Sequence, residues 1–178
     1  MIAANKLEVG DILQYKVRGK NDFLGHFINF MTLGGNYSHT AMYIGRGKKV
    51  EAHAKELFGA TPLLKEDYPY IDIYRTKKRL SRYKKEWLLE EAKNLYGREY
   101  DELGLIGTIR SGLGSLLNWD WLRQSRPFFN DLSKYYCSEA IAEIYQKGVK
   151  IDIVPKVSGY VTTPNDISRS EVLYKVNK

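Results

Sequence analysis

The stretch Tyr37-Ser38-His39-Thr40-Ala41-Met42-Tyr43-Ile44-Gly45, with the turn Arg46-Gly47-Lys48 and the return Lys49-Val50-Glu51-Ala52-His53-Ala54, constrains the fold most. Two strand-like runs joined by a short glycine-bearing turn make a β-hairpin, and a hairpin commits the chain to antiparallel pairing. The rest of the chain supplies partners for it. Gly10-Asp11 is a turn leading into a first strand through Val17, Tyr70 to Arg75 alternates cleanly, and Glu171 to Val176 suits a last strand. Helical spacing runs from Leu80 to Tyr96, with Tyr83, Trp87, Leu88, Ala92, Leu95 and Tyr96 on the apolar side and Gly97 as C-cap. A second helix opens near Tyr136, where Tyr136, Ala140, Ile141, Ile144 and Tyr145 recur at helical intervals, with Ser133 as cap and Lys147-Gly148 as stop. Phe23 to Leu33 suits a short buried helix ended by Gly34-Gly35-Asn36, and Thr163-Pro164-Asn165-Asp166-Ile167 a turn into another. Fold class is therefore α+β, an antiparallel sheet packed against helices.

A chain of 178 residues, 43% hydrophobic and 28% charged, suits one domain spanning 1–178. Its single cysteine excludes an internal disulfide, so the fold needs no oxidising compartment. The N-terminal residues show no basic region followed by a long apolar run, and a cytoplasmic location is the default expectation. The net charge of +7 favours acidic partners, and much of it sits in Lys77, Lys78, Arg79, Arg82, Lys84 and Lys85 at the head of a helix. Such a run is either a solvated helix face or a surface for peripheral contact with an anionic membrane or a cell-wall polymer. No zinc-knuckle spacing, aromatic RNA-binding motif or phosphate-binding glycine loop occurs, so nucleic acid is not an expected partner. An apolar stretch at about 103–130, carrying Leu105, Ile109, Leu113, Leu116, Trp119 and Trp121, reads as an insertion. Glycines and Arg110 break it, which argues against a membrane span. It packs on the domain as a helix, or it forms a substrate-groove wall or a lipid-touching surface.

Cys137 falls in the first turn of the second long helix, where free backbone N–H groups and the helix dipole favour a thiolate. A free cysteine is otherwise a small buried hydrophobe. His39, one of three histidines, stands at the start of a strand and taken alone is an ordinary polar residue. Together they have the residue types of a thiol hydrolase, whose cysteine needs a base in reach and a third polar group to orient that base. One cysteine and scattered histidines give no metal-ligand spacing, and neither metal nor cofactor is expected.

Six segments come in one order: Gly10-Asp11-Ile12-Leu13, Ser38 to Gly45, Val50-Glu51-Ala52, Gly97-Arg98-Glu99-Tyr100-Asp101, Tyr136-Cys137-Ser138-Glu139, and Thr163 to Ile167. With histidine before cysteine, this series resembles the circularly permuted papain-like cysteine hydrolases of the YiiX/YaeF type, relatives of the NlpC peptidoglycan peptidases. The resemblance implies Cys137 as nucleophile, His39 as general base and Glu51 as the residue holding the imidazole. It implies hydrolysis of an amide bond through a thioester, with a cell-wall peptide as one candidate substrate. Tyr136 and Gln14 are the candidates for a further oxyanion or substrate-binding group beside the backbone N–H of Cys137. Two alternatives stay open: a lipid-directed acyl hydrolase or acyltransferase, as in the lecithin:retinol acyltransferase relatives, and a catalytically silent binding module.

Geometry sets one condition on this triad. A tight turn centred on Gly47 places Glu51 opposite Tyr43, about 13 Å along the strand from His39. A bulge, strong coiling or a longer turn is needed to bring them together. His53, on the same face, is the rival partner. Glu139 lies about 200° around the helix from the thiol and reads as a helix-start charge or a ligand to backbone. Tyr100 and Asp101 are expected in a loop near the site.

Overall fold

A computed structural model of the chain describes residues 6–17, 36–52, 57–100, 134–155 and 162–176. The helix expected at Phe23 to Leu33, the Ser133 cap, His53, Asp101 and the apolar segment 103–130 lie outside the described residues.

Six strands form one sheet in the order β4-β3-β2-β1-β5-β8. They are β1 (Ile12–Lys16), β2 (Tyr37–Gly45), β3 (Lys48–Glu51), β4 (Gly59–Pro62), β5 (Ile71–Thr76) and β8 (Leu173–Lys175). Every pairing in it is antiparallel, the β2–β3 hairpin included. Two further short strands, β6 (Glu99–Tyr100) and β7 (Lys134–Tyr135), pair in parallel, and a 3-10 helix covers Lys65–Tyr70. The described helices are α1 (Arg82–Asn94), α2 (Cys137–Val149) and α3 (Pro164–Ser168). Among the described residues no helix is long and apolar enough to cross a membrane.

Sheet and helices share one core. Ile12, Met42, Val50 and Tyr74 of the sheet pack with Leu88 and Ala92 of α1 and with Ala140, Ile141, Ile144 and Tyr145 of α2. A second cluster joins Leu13, Tyr15, Ala41, Tyr43, Ile71 and Ile73. Alternate residues along a strand point to opposite faces, so this sheet is apolar on both.

The helix at 80–96 lies differently from expectation. Leu88, Ala92 and Leu95 are buried, but Tyr83, Trp87 and Tyr96 are exposed. At 100° per residue Tyr83 and Trp87 fall on the side away from Leu88 and Ala92, and packing against α2 selects the aliphatic side. Ser81 caps this helix by accepting from the Lys84 N–H. Its C-cap is Leu95 rather than Gly97, which follows two residues later at φ +80°.

In α2 the N-cap is Tyr136, without a side-chain cap bond, and the helix runs through Gly148 to Val149. Gly148 is a contact point rather than a stop. A Cβ there would meet the Trp87 carbonyl oxygen at 3.2 Å and the Leu88 Cα at 3.4 Å, so glycine lets α1 and α2 approach backbone to backbone.

Candidate active site

The hairpin turn fixes the site's geometry. Arg46 and Gly47 both take positive φ, 53° and 67°, the two-residue turn whose twist matches the strands. Beyond it the register runs Gly45 to Lys48, then slips by one residue to Tyr43 with Lys49 and Met42 with Val50. This is the bulge the spacing demanded. Continued one step, it sets Glu51 level with Ala41, so that Glu51 and His39 are diagonal neighbours about 7–8 Å apart at the backbone. The side chains close that gap, with His39 Nε2 at 2.9 Å from Glu51 Oε2.

Glu51 is held by more than the histidine. Its Oε1 accepts from Thr61 Oγ1 at 2.5 Å, and its Oε2 also accepts from Lys49 Nζ at 2.8 Å. The carboxylate is buried, 3% exposed, while the His39 side chain keeps 18%. Tyr15 stands beside the imidazole, with ring centroids 5.4 Å apart, and its own ring lies 4.5 Å from Lys49 Nζ.

Cys137 is the first residue of α2 and 5% exposed. Its thiol hydrogen-bonds the His39 imidazole and receives backbone N–H groups of Thr40 and Ser138. Since Nε2 faces Glu51, Nδ1 is the nitrogen left for the sulfur. Burial pushes the thiol up, but the positive imidazole, its hydrogen bond and the two backbone donors outweigh this and hold it below its ordinary value. Burial likewise pushes the imidazole down, while the negative sulfur, its hydrogen bond and then Glu51 raise it from 6.5 to about 9. Both shifts favour the ion pair, a thiolate facing an imidazolium, over the neutral thiol and imidazole.

The C-terminal motif braces both halves of this pair. Asn165, fully buried, accepts from the Tyr37 N–H and donates to the Tyr37 carbonyl, both at 3.2 Å, pinning β2 two residues before His39. Ser138 Oγ donates to the Thr162 carbonyl at 2.6 Å, tying the start of α2 to the same segment. Thr163 and Asp166 cap each other at the head of α3 and fix its direction.

Structure thus brings Cys137, His39 and Glu51 together. Gln14 is fully buried on β1, and its Oε1 accepts from Thr40 Oγ1 at 3.0 Å. Its Nε2 has no hydrogen-bond partner among the described residues. Tyr136 is buried at the helix cap, and Glu139 is buried in the first turn of α2.

Sequence reading missed Lys49 and Thr61. Lys49 carries a signal, since it sits two positions before Glu51 on a strand and so shares its face. Thr61 carries none, because Gly59-Ala60-Thr61-Pro62 has no alternation and bears both glycine and proline.

No protein-family model matches this chain, and no curated protein matches it. Among solved structures it is similar to the metalloprotein YiiX from Escherichia coli O157:H7, with a TM-score of 0.63 at 19% sequence identity over 96% of this chain and 97% of that one. The chain has a YiiX-type α+β fold.

Proposed function

We propose that this protein is a thiol hydrolase of the permuted papain-like class, cleaving an amide bond by acyl transfer. The observation that carries the reading is the chain of contacts from Cys137 through His39 to Glu51. In the reaction the Cys137 thiolate attacks the carbonyl carbon and a C–S bond forms. The His39 imidazolium gives its proton to the leaving nitrogen as the C–N bond breaks, leaving a thioester. Water then attacks the thioester carbonyl, His39 takes a water proton, and the C–S bond breaks to release the carboxylic acid and the thiolate. Glu51 orients the imidazole and compensates its charge. The backbone N–H groups at the head of α2 and the unsatisfied Gln14 amide are the available oxyanion donors. A cell-wall peptide is the first substrate class to try.

YiiX is described as a metalloprotein, which raises a metal for this chain. A bound metal needs three or four donors converging on one point. Here His39 lies between Cys137 and Glu51, with one ring nitrogen committed to each, and the Lys49 ammonium occupies the carboxylate. Among the described residues no other cluster of metal-binding side chains occurs. These residues do not fit a metal, and no step is assigned to one.

A second reading keeps the machinery and changes the substrate to a lipid acyl group. It is favoured by Tyr83 and Trp87, 70% and 51% exposed, beside the basic residues at the head of α1.

The test is incubation with peptidoglycan-derived peptides and with acyl lipids, followed by intact-protein mass spectrometry. The reading expects a transient acyl adduct on the only cysteine and release of a free amine from the peptides, both lost in Cys137→Ala. Lipid-only adducts select the second reading. Substrate retention by wild type and Cys137→Ala alike, with no adduct, selects a silent binding module.

A further inference from the structure

The carboxylate that steadies His39 is shared with a second cation. Lys49 is buried, 6% exposed, and its Nζ lies 2.8 Å from the same Glu51 oxygen that meets His39 Nε2 at 2.9 Å. The ammonium and the imidazole are therefore within about 6 Å of each other by the sum of those contacts. Burying an ammonium is unfavourable, and what repays it here is an acidic group of the site rather than solvent. The groups facing Lys49 are the Tyr15 ring from β1, Tyr43 across from it on β2, Glu51 on its own strand and Asp67 of the 3-10 helix, whose Oδ2 is 3.9 Å away. Thr61 of β4 and His39 complete the shell around Glu51, and Cys137 lies beyond His39.

We propose that Lys49 is a positioning residue that sets the pH window of the Cys137–His39 pair by holding Glu51 ionised and opposing the charge on the imidazole. The inference rests on the reading of Cys137 and His39 as a thiolate–imidazolium pair. Without Lys49, Glu51 depends on the imidazolium alone for compensation, and the local potential is more negative. Both protonations then become easier, so the thiolate forms at higher pH and the imidazolium persists to higher pH. The imidazolium also becomes a weaker acid toward the leaving group. A unit charge about 6 Å away at an effective dielectric of about 20 moves a pKa by on the order of one to two units.

The test needs no substrate. The rate of Cys137 alkylation by iodoacetamide is followed against pH, and the His39 imidazole is titrated by NMR, assigned by its absence in His39→Ala. In Lys49→Met, which keeps the apolar stem, both midpoints move up by about one unit or more. Lys49→Arg, which keeps the charge, returns them toward wild type. Asp67→Asn removes the competing negative charge and moves both midpoints down. Superposable wild-type and Lys49→Met profiles make Lys49 a packing residue and overturn the inference while leaving the proposed function intact. If Lys49→Met does not fold, Asp67→Asn decides: a downward shift supports the role of Lys49, and no shift or an upward one overturns it. A wild-type thiol that reacts only as a free cysteine would overturn both.

Discussion

Glu51 keeps its place because three donors meet its carboxylate: His39, Lys49 and Thr61. Glu51→Gln keeps the shape and removes the charge that helps hold His39 protonated. Hydrolysis is expected to fall by about 10²–10⁴-fold, with the imidazole titrating below its wild-type value of about 9. Steady-state kinetics and an NMR titration check this together. On the proposed reading, Cys137 and His39 set the pH dependence of hydrolysis in the wild type. Below the lowered pKa of Cys137 the thiolate is protonated and attack stops. Above about 9 the imidazolium loses the proton it donates to the leaving group. Hydrolysis should therefore be bell-shaped in pH with its alkaline limb near 9, whereas alkylation, which needs no proton donor, should stay high there. Matching alkaline limbs in the two assays would contradict the role of His39 as acid.

At the scale of elements, two contacts carry the assembly. Gly148 lets α2 lie directly on α1, where an added side chain would press on the backbone of Trp87 and Leu88. Gly148→Val should cost about 1–3 kcal/mol in urea unfolding, because backbone cannot swing aside as a side chain can. Asn165→Ala strands the Tyr37 N–H and carbonyl in the interior and should cost about 2–4 kcal/mol. Its effect on alkylation should exceed that of Gly148→Val, since Tyr37 leads into His39. These contacts also show what was legible in the sequence. The strands at β1, β2, β3, β5 and β8 were readable from alternation and from the hairpin turn, the two long helices from 3.6-residue spacing, and α3 from its Thr-Pro-Asn-Asp turn. Gly148 was misread because a glycine that permits close packing and one that ends a helix look alike in one dimension. Tyr83 and Trp87 were misplaced because aromatic residues count as apolar whichever side of the helix they occupy. The short β4, with glycine and proline, and the parallel pair β6–β7 were invisible, since only tertiary pairing makes them strands.

For the whole molecule, ion pairing leaves the net charge of +7 unchanged but decides which cations are engaged. Arg75 is paired with Glu8 and Asp11, Lys85 with Glu8, and Lys16 and Lys175 with Asp72. Part of the basic run at α1 thus serves to bind elements together, and Arg82 pairs with Glu86 on the helix surface. Sedimentation with anionic vesicles should accordingly be weak and lost at high salt if the basic residues act alone. Binding that survives salt and falls in Trp87→Ala would favour the lipid reading. What the fold achieves as a unit is to bring a histidine from a sheet strand against a cysteine at a helix start, with residues 162–165 tying both down. The most direct test of that claim is alkylation of Cys137 in the native protein from about pH 5 to pH 9, in wild type and His39→Ala. The account predicts fast labelling of wild type well below the free-thiol pKa of about 8.5, and loss of that reactivity in His39→Ala. Equal labelling of the two proteins at every pH, or labelling only after unfolding, would contradict it.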